Sequence, residues 1–300
     1  MNRGLVYLMT DDGVEVPLID VTHPAFRVEM TGEELDAAVE KAVADVEQRR
    51  KMPAEQQALQ MKELLRTSFL VPRIAGAQGA VLGGMSTYYM KLGPGNLGSY
   101  AADIDRVFAG SLPCLSVRIR LQHAARLLAD CLAAAHAARP GRSLHIVDIA
   151  GGPCMDSMNA LILLRQERPQ LLAGTTIGIH ALDPDASGPG FGIRALEAMR
   201  AAGAPLHDVS ATMRHVDYDW SRASELRALL SGLGADGSFI VGASEGGLFE
   251  YGSDEEVVAN LRTFYEGTAA DALFVGTVSS AEGSGRILNE AGGAALRLRG

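Results

Sequence analysis

Beyond Ser143 the sequence alternates five short apolar runs with helical segments, an order that few folds accommodate. The runs are LHIVDI (144–149), TIGIHAL (176–182), ATMRHV (211–216), SFIVGA (238–243) and ALFVGTV (272–278). Each is too short for a buried helix and carries β-branched residues. Helical patterns fill the intervals, to about Gln166 and near 191–202, 221–231 and 253–266. Strands separated by helices pair in parallel, because a parallel pair needs a crossover connection of about a dozen residues or more. Right-handed crossovers put helices on both faces. The expected class is α/β, a doubly wound, mostly parallel sheet. The final LRLRG follows soon after the fifth run, so the sheet either is shortened there or continues beyond this sequence.

The region before Ser143 reads differently. Residues 4–9 and 14–19 are β-leaning and flank the turn Thr10-Asp11-Asp12-Gly13, which predicts a short hairpin. Pro24 disfavours a helix in DVTHPAF. Thr31 followed by Glu33 and Glu34 predicts a helix start, and Leu35, Ala38, Val39, Ala42, Val43 and Val46 recur at helical spacing. Pro53 ends that helix and a second runs to about Leu65. Residues 76–98 are glycine-rich and read as a loop or a broken helix. A long helix from about Pro113 to Ala138 ends at Pro140-Gly141. The expected division is a mainly helical cap or substrate-binding domain over 1–140 and a ligand-binding α/β domain over 141–300.

With 27 basic and 36 acidic side chains the chain carries a formal charge of −9. Phosphate backbones are bound by clustered Lys and Arg, so nucleic acid is not the expected partner. No apolar run reaches the ~20 residues of a membrane span, and the start MNRGLVYLMTDDG lacks a signal-peptide core, so a cytoplasmic protein is expected. Cys114, Cys131 and Cys154 are odd in number and widely spaced, which suits neither a disulfide framework nor a metal pair. No metal site is expected: the histidines show no ligand spacing such as HExxH. A Walker A signature does not occur.

The most informative run is LHIVDIAGGPCMDSMNALILL. A strand ends at Asp148, a loop of small residues follows, and a helix begins near Asp156. Such a loop lets a ligand approach the backbone, and the helix start offers free N–H groups. The dinucleotide fingerprint G-x-G-x-x-G does not occur in this loop. Asp148-Ile149-Ala150-Gly151-Gly152-Pro153-Cys154 instead resembles motif I of the class I S-adenosylmethionine-dependent methyltransferases, approximately (D/E)-x-G-x-G-x-G, closest to the small-molecule O-methyltransferase form. Ala150 and Cys154 stand where the family has glycine. TIGIHAL ends at Asp183, and the resemblance implies that this acid receives the ribose hydroxyls of the cofactor. ATMRHV ends at Asp217-Tyr218, where family members often place an acid near the adenine. The resemblance covers about residues 141–280 and implies a Rossmann-like core, S-adenosyl-L-methionine as cofactor, and cofactor contacts from Asp148, Ala150, Gly151, Gly152, Pro153, Asp183, Asp217 and Tyr218.

The reaction so implied is methyl transfer to a small-molecule acceptor, a metabolite or natural-product intermediate, with the protein positioning and desolvating that acceptor. An acceptor that must lose a proton needs a base. The loop after the fourth strand, GASEGGLFEY, supplies the candidates: Glu245 first, then Tyr251, with Glu250 beside them. Ser253 and Glu256 form a capping box for the next helix, which frees Glu245 from that task. Tyr88, Tyr89 and Lys91 sit among flexible glycines, as residues of a substrate-contacting lid would. His23 is a further substrate-site candidate, although a turn histidine bonded to backbone fits the same residue. Rival readings are an enzyme using the same cofactor for another transfer, such as aminocarboxypropyl transfer, a nicotinamide- or flavin-dependent oxidoreductase on a related core, and a catalytically silent binding relative. A homodimer stays open.

Overall fold

The computed structural model describes residues 4–75, 81–138, 141–235, 237–282 and 296–299. Pro140 and residues 76–80 of the glycine-rich stretch lie outside them. The chain opens with an antiparallel hairpin, β1 (Tyr7–Met9) and β2 (Glu15–Pro17), turned at Thr10–Gly13. The helices α1 (Gly32–Arg50), α2 (Ala54–Thr67), α3 (Leu70–Ala75), α4 (Gly84–Leu92), α5 (Asp103–Ala109) and α6 (Leu112–Ala138) follow. Thr31 caps α1 in a reciprocal box with Glu34. The glycine-rich stretch thus resolves into a real helix, α4, and a 3-10 turn at Pro94–Asn96.

Five parallel strands form the sheet: β3 (Leu144–Ile149), β4 (Ile177–Leu182), β5 (Ala211–Val216), β6 (Phe239–Ser244) and β7 (Leu273–Gly276), in the order β5-β4-β3-β6-β7. Between them run α7 (Met155–Glu167), α8 (Ser187–Met199), α9 (Ala223–Gly234), the short α10 (Gly247–Tyr251) and α11 (Asp254–Gly267). The alternation of side chains along each strand explains the two cores. Ile146, Ile179 and Val241 pack with Met158 and Leu161 of α7, Phe191 of α8 and Leu128 of α6. Val147, Ile149, Leu182 and Ile240 pack instead with Leu226 and Leu230 of α9 and Val257 and Phe264 of α11. Helices therefore cover both faces of an α/β sheet.

Buried polar ties bind the first half of the chain to α7 and to itself. Asn159 of α7 donates to Ile19 O at 3.0 Å and accepts from Val21 N at 2.8 Å. Asp105, fully buried, accepts from Ser68 Oγ, Phe69 N, Leu70 N and Ala102 N. Burial alone would raise its pKa, yet these donors together hold it below the usual carboxylate value. Among the described residues, no helix is long and apolar enough to cross a membrane.

Candidate functional site

The strand order turns around between β3 and β6, and the carboxyl edge at such a point is where open α/β sheets hold ligands. Two connections meet there. Asp148 near the end of β3 pairs in register with Ala243 of β6, so Ala150–Cys154 and Glu245–Gly246 leave the sheet side by side. A Cβ built on Gly247 would stand 2.4 Å from the Ala150 Cβ, so the two connections are in contact.

The loop after β3 turns through the left-handed region three times: Ala150 has φ 56°, Gly152 φ 51° and Cys154 φ 52°. Ala150 and Cys154 are the two residues other than glycine with positive φ among the described residues. A side chain there costs about 1–2 kcal/mol, and such strain persists where surrounding structure enforces it. Gly151 is required for another reason: its Cβ would lie 2.5 Å from Asp148 Cγ. The loop doubles back over that carboxylate and leaves no space for a side chain.

Asp148 is fully buried and accepts from Ser157 Oγ at 2.8 Å. Its Oδ1 has no donor with a fixed hydrogen. The neighbouring carboxyl of Asp156, also buried, is the group available to it. Burial, then the charge of Asp148, pushes Asp156 well above the ordinary carboxylate pKa. Asp183, at the tip of β4, turns its carboxylate to the loop: Oδ2 accepts from Gly152 N at 3.2 Å and Oδ1 from Asp185 N at 2.9 Å. Burial raises its pKa, against these two backbone donors.

A buried ion network joins the first half of the chain to the β6 loop. Lys91 Nζ of α4 lies 2.7 Å from Glu245 Oε2, and Arg120 of α6 reaches Glu245 Oε1 at 3.2 Å and Glu250 Oε1 at 2.5 Å. Both glutamate side chains are about 5% exposed. Ser279 Oγ adds a bond to Glu250. Gly246, at φ 86°, is the turn that permits this, since its Cβ would stand 2.9 Å from the Arg120 guanidinium. Burial lowers the pKa of Arg120, but the two glutamates outweigh it and raise it.

The predicted residues divide accordingly. The loop Ala150–Pro153, Asp148, Asp183, Glu245, Glu250 and Lys91 gather at one sheet edge. Tyr251, on α10, is half-buried there, with burial raising its pKa and the Leu82 backbone N–H on its hydroxyl. Asp217 is exposed, and Tyr218 turns into the opposite core, donating to Asn260. Tyr88 is buried and donates to Pro17 O; Tyr89 donates to Asp12. Both serve the hairpin side of α4 rather than the Glu245 side. His23 accepts from Ala25 N within its own turn. Arg120 and Asp156 belong to the site although nothing local singles them out. Two basic residues, Arg118 and Arg120, in the otherwise apolar start of α6 were the available signal for the first.

The loop's face at Gly152 is covered by backbone. A Cβ on Gly84, at the start of α4, would lie 2.8 Å from Gly152 Cα; one on Gly188 of α8 would lie 3.0 Å from it. A cleft of about 220 Å³ opens beside this contact, lined by Asp12, Arg73, Met85, Tyr89, Ser187 and Phe191. A larger one, about 270 Å³, lies around Ser238 and Phe239 at the amino-terminal edge of the sheet, away from the acids and the loop. Among the described residues there is no cluster of His, Cys, Asp and Glu able to hold a metal ion. No protein-family model and no curated protein sequence matches the chain.

Proposed function

We propose that this chain is an S-adenosylmethionine-dependent methyltransferase acting on a small-molecule acceptor in the cytoplasm, with the helices before β3 serving as the cap over the site. One observation carries the reading. The three positions at which the resembling motif has its alternate glycines, 150, 152 and 154, are the three with positive φ in this loop, although two of them are not glycine. A turn of that shape on an acid-ended strand at the switch point is the support for a cofactor of this class.

The residues suit the cofactor by type. Asp183 has lone pairs left after its two backbone bonds, as a ribose diol requires. Gly151, Gly152 and the start of α7 would hold the amino-acid end. S-adenosylmethionine, when bound, supplies an electrophilic methyl group. Glu245 faces the acceptor in this reading, with Lys91 and Arg120 fixing its position. Binding at Gly152 requires the Gly83–Met85 turn to part from it. The test is a thermal-shift titration of the whole chain with S-adenosylhomocysteine, in parallel with NADH. A rise in Tm with the first, reduced in Asp183→Asn, is expected. A shift with NADH alone, or with neither ligand, overturns the assignment.

A further inference from the structure

All of α2 except the half-buried Leu64 is exposed, and no residue of this helix is buried. Its amino-acid pattern is nevertheless that of a packed helix. Ala54, Ala58, Met61 and Leu65 follow the i, i+4, i+7, i+11 spacing that makes one stripe. Met61 is 50% and Leu65 44% exposed, and Leu59 beside the stripe is 68% exposed. The neighbouring row, Glu55, Leu59, Lys62 and Arg66, starts with an acid and ends with two bases.

That row decides what fits. A second α2 laid parallel about a two-fold axis sets this row against the other flank, Gln57, Gln60 and Leu64, where its charges meet no partner. Laid antiparallel about a two-fold axis near Leu59–Met61, it sets each Glu55 beside the Lys62–Arg66 end of the other copy, twice over. The apolar stripes then meet in the middle. Opposed helix dipoles favour the same arrangement. Within the chain, neither Glu55 nor Lys62 has an ion-pair partner among the described residues, and Arg66 is held only by Glu63 one turn away on the same exposed helix.

We propose that α2 is a homodimer interface on which the α2 helix of a second copy of this chain lies antiparallel. The pairing is isologous, the same patch meeting itself, as closed two-fold symmetry demands. One 14-residue helix per copy gives an interface at the small end for specific association, so the dimer exchanges with monomer in roughly the micromolar range. The inference is independent of the catalytic reading.

Sedimentation velocity on the full chain, from about 1 to about 100 μM, tests it. The mass is expected to rise from 31.7 kDa toward twice that value. Met61→Glu with Leu65→Glu should leave a monomer throughout, with unchanged circular dichroism because both side chains are on the surface. Glu55→Lys alone, and Lys62→Glu with Arg66→Glu alone, should each weaken association about tenfold or more. All three charge reversals together should restore it, since the inverted row is again complementary to itself. A chain monomeric at every concentration, a dimer indifferent to Met61→Glu and Leu65→Glu, or a triple reversal no better than its parts overturns the proposal.

Discussion

Lys91 and Glu245, 154 positions apart in sequence, form an ion pair with their charged atoms 2.7 Å apart and each side chain at most 10% exposed. A pair so deeply placed owes its value to both partners being present: without Glu245, Lys91 is an uncompensated charge in a poor solvent, and without Lys91, Glu245 keeps only Arg120. Glu245→Leu or Lys91→Met is expected to cost about 3–5 kcal/mol. The double variant should cost clearly less than the sum, with a coupling of about 1 kcal/mol or more in a double-mutant cycle of urea denaturation. Additive losses would mean that the pair is not formed in solution.

The contact between Gly84 and Gly152 yields a prediction of opposite sign for stability and for binding. Gly84→Ala puts a methyl group 2.8 Å from Gly152 Cα and 3.1 Å from Pro153 Cδ, so the start of α4 must move away. The free protein is expected to lose roughly 1–3 kcal/mol. In the proposed reading the covered arrangement competes with a cofactor on the loop, so affinity for S-adenosylhomocysteine should rise, measured by calorimetry. A weaker affinity would place the ligand elsewhere.

Ala150→Gly should behave unlike an ordinary alanine-to-glycine change. In a helix or strand that change costs about 0.5–1 kcal/mol. At φ 56° glycine removes the left-handed strain while adding chain entropy to the unfolded state. The expected change in Tm is near zero or upward, and a drop of several degrees would show that the alanine methyl packs more strongly than the backbone is strained.

His180 gives the pH dependence. It is buried and accepts from Arg214 Nε at 2.6 Å, with His145 Nδ1 at 3.0 Å from its other ring nitrogen. Burial first, then the charges of Arg214 and His145, lower its pKa to about 3. An unfolded histidine titrates near 6.5. The folded state thus favours the neutral ring, so its contribution to stability is complete above about pH 6.5 and is lost as the pH falls toward about 3. Protonation of buried Asp148 and Asp156, whose pKa values are raised, acts the other way. Comparison with His180→Gln isolates the histidine: the wild-type Tm should fall more steeply than the variant's between about pH 6.5 and 4. Parallel slopes would remove His180 from the account.

What the sequence disclosed follows the range of the forces involved. β3 and β5 coincide with LHIVDI and ATMRHV, β4 starts one residue later than TIGIHAL and ends with it, β6 is displaced by one residue and β7 is shorter than ALFVGTV, because short apolar strands are bounded by local turn chemistry. The acids Asp148 and Asp183 were legible for the same reason, each closing its strand. The helices α3, α4 and α5 were not, since they are held from a distance: one carboxylate, Asp105, accepts donors 35 to 37 positions away at the start of α3. Arg120 escaped notice because its partners are 125 and 130 positions further on. Tyr218 follows Asp217 in the site that the resemblance implies, but its side chain packs into the opposite core, onto Asn260.

The three glycines at positions 84, 152 and 188 meet without a hydrogen bond across the contact among the described residues, and α4 spends its polar groups on Pro17, Arg73, Asp12 and Glu245 instead. Parting such surfaces strands no donor or acceptor and breaks no directional bond. The expected consequence is kinetic: uncovering of the strand-tip turn belongs with loop displacements of about microseconds to milliseconds rather than with the slow openings that precede hydrogen exchange in a core.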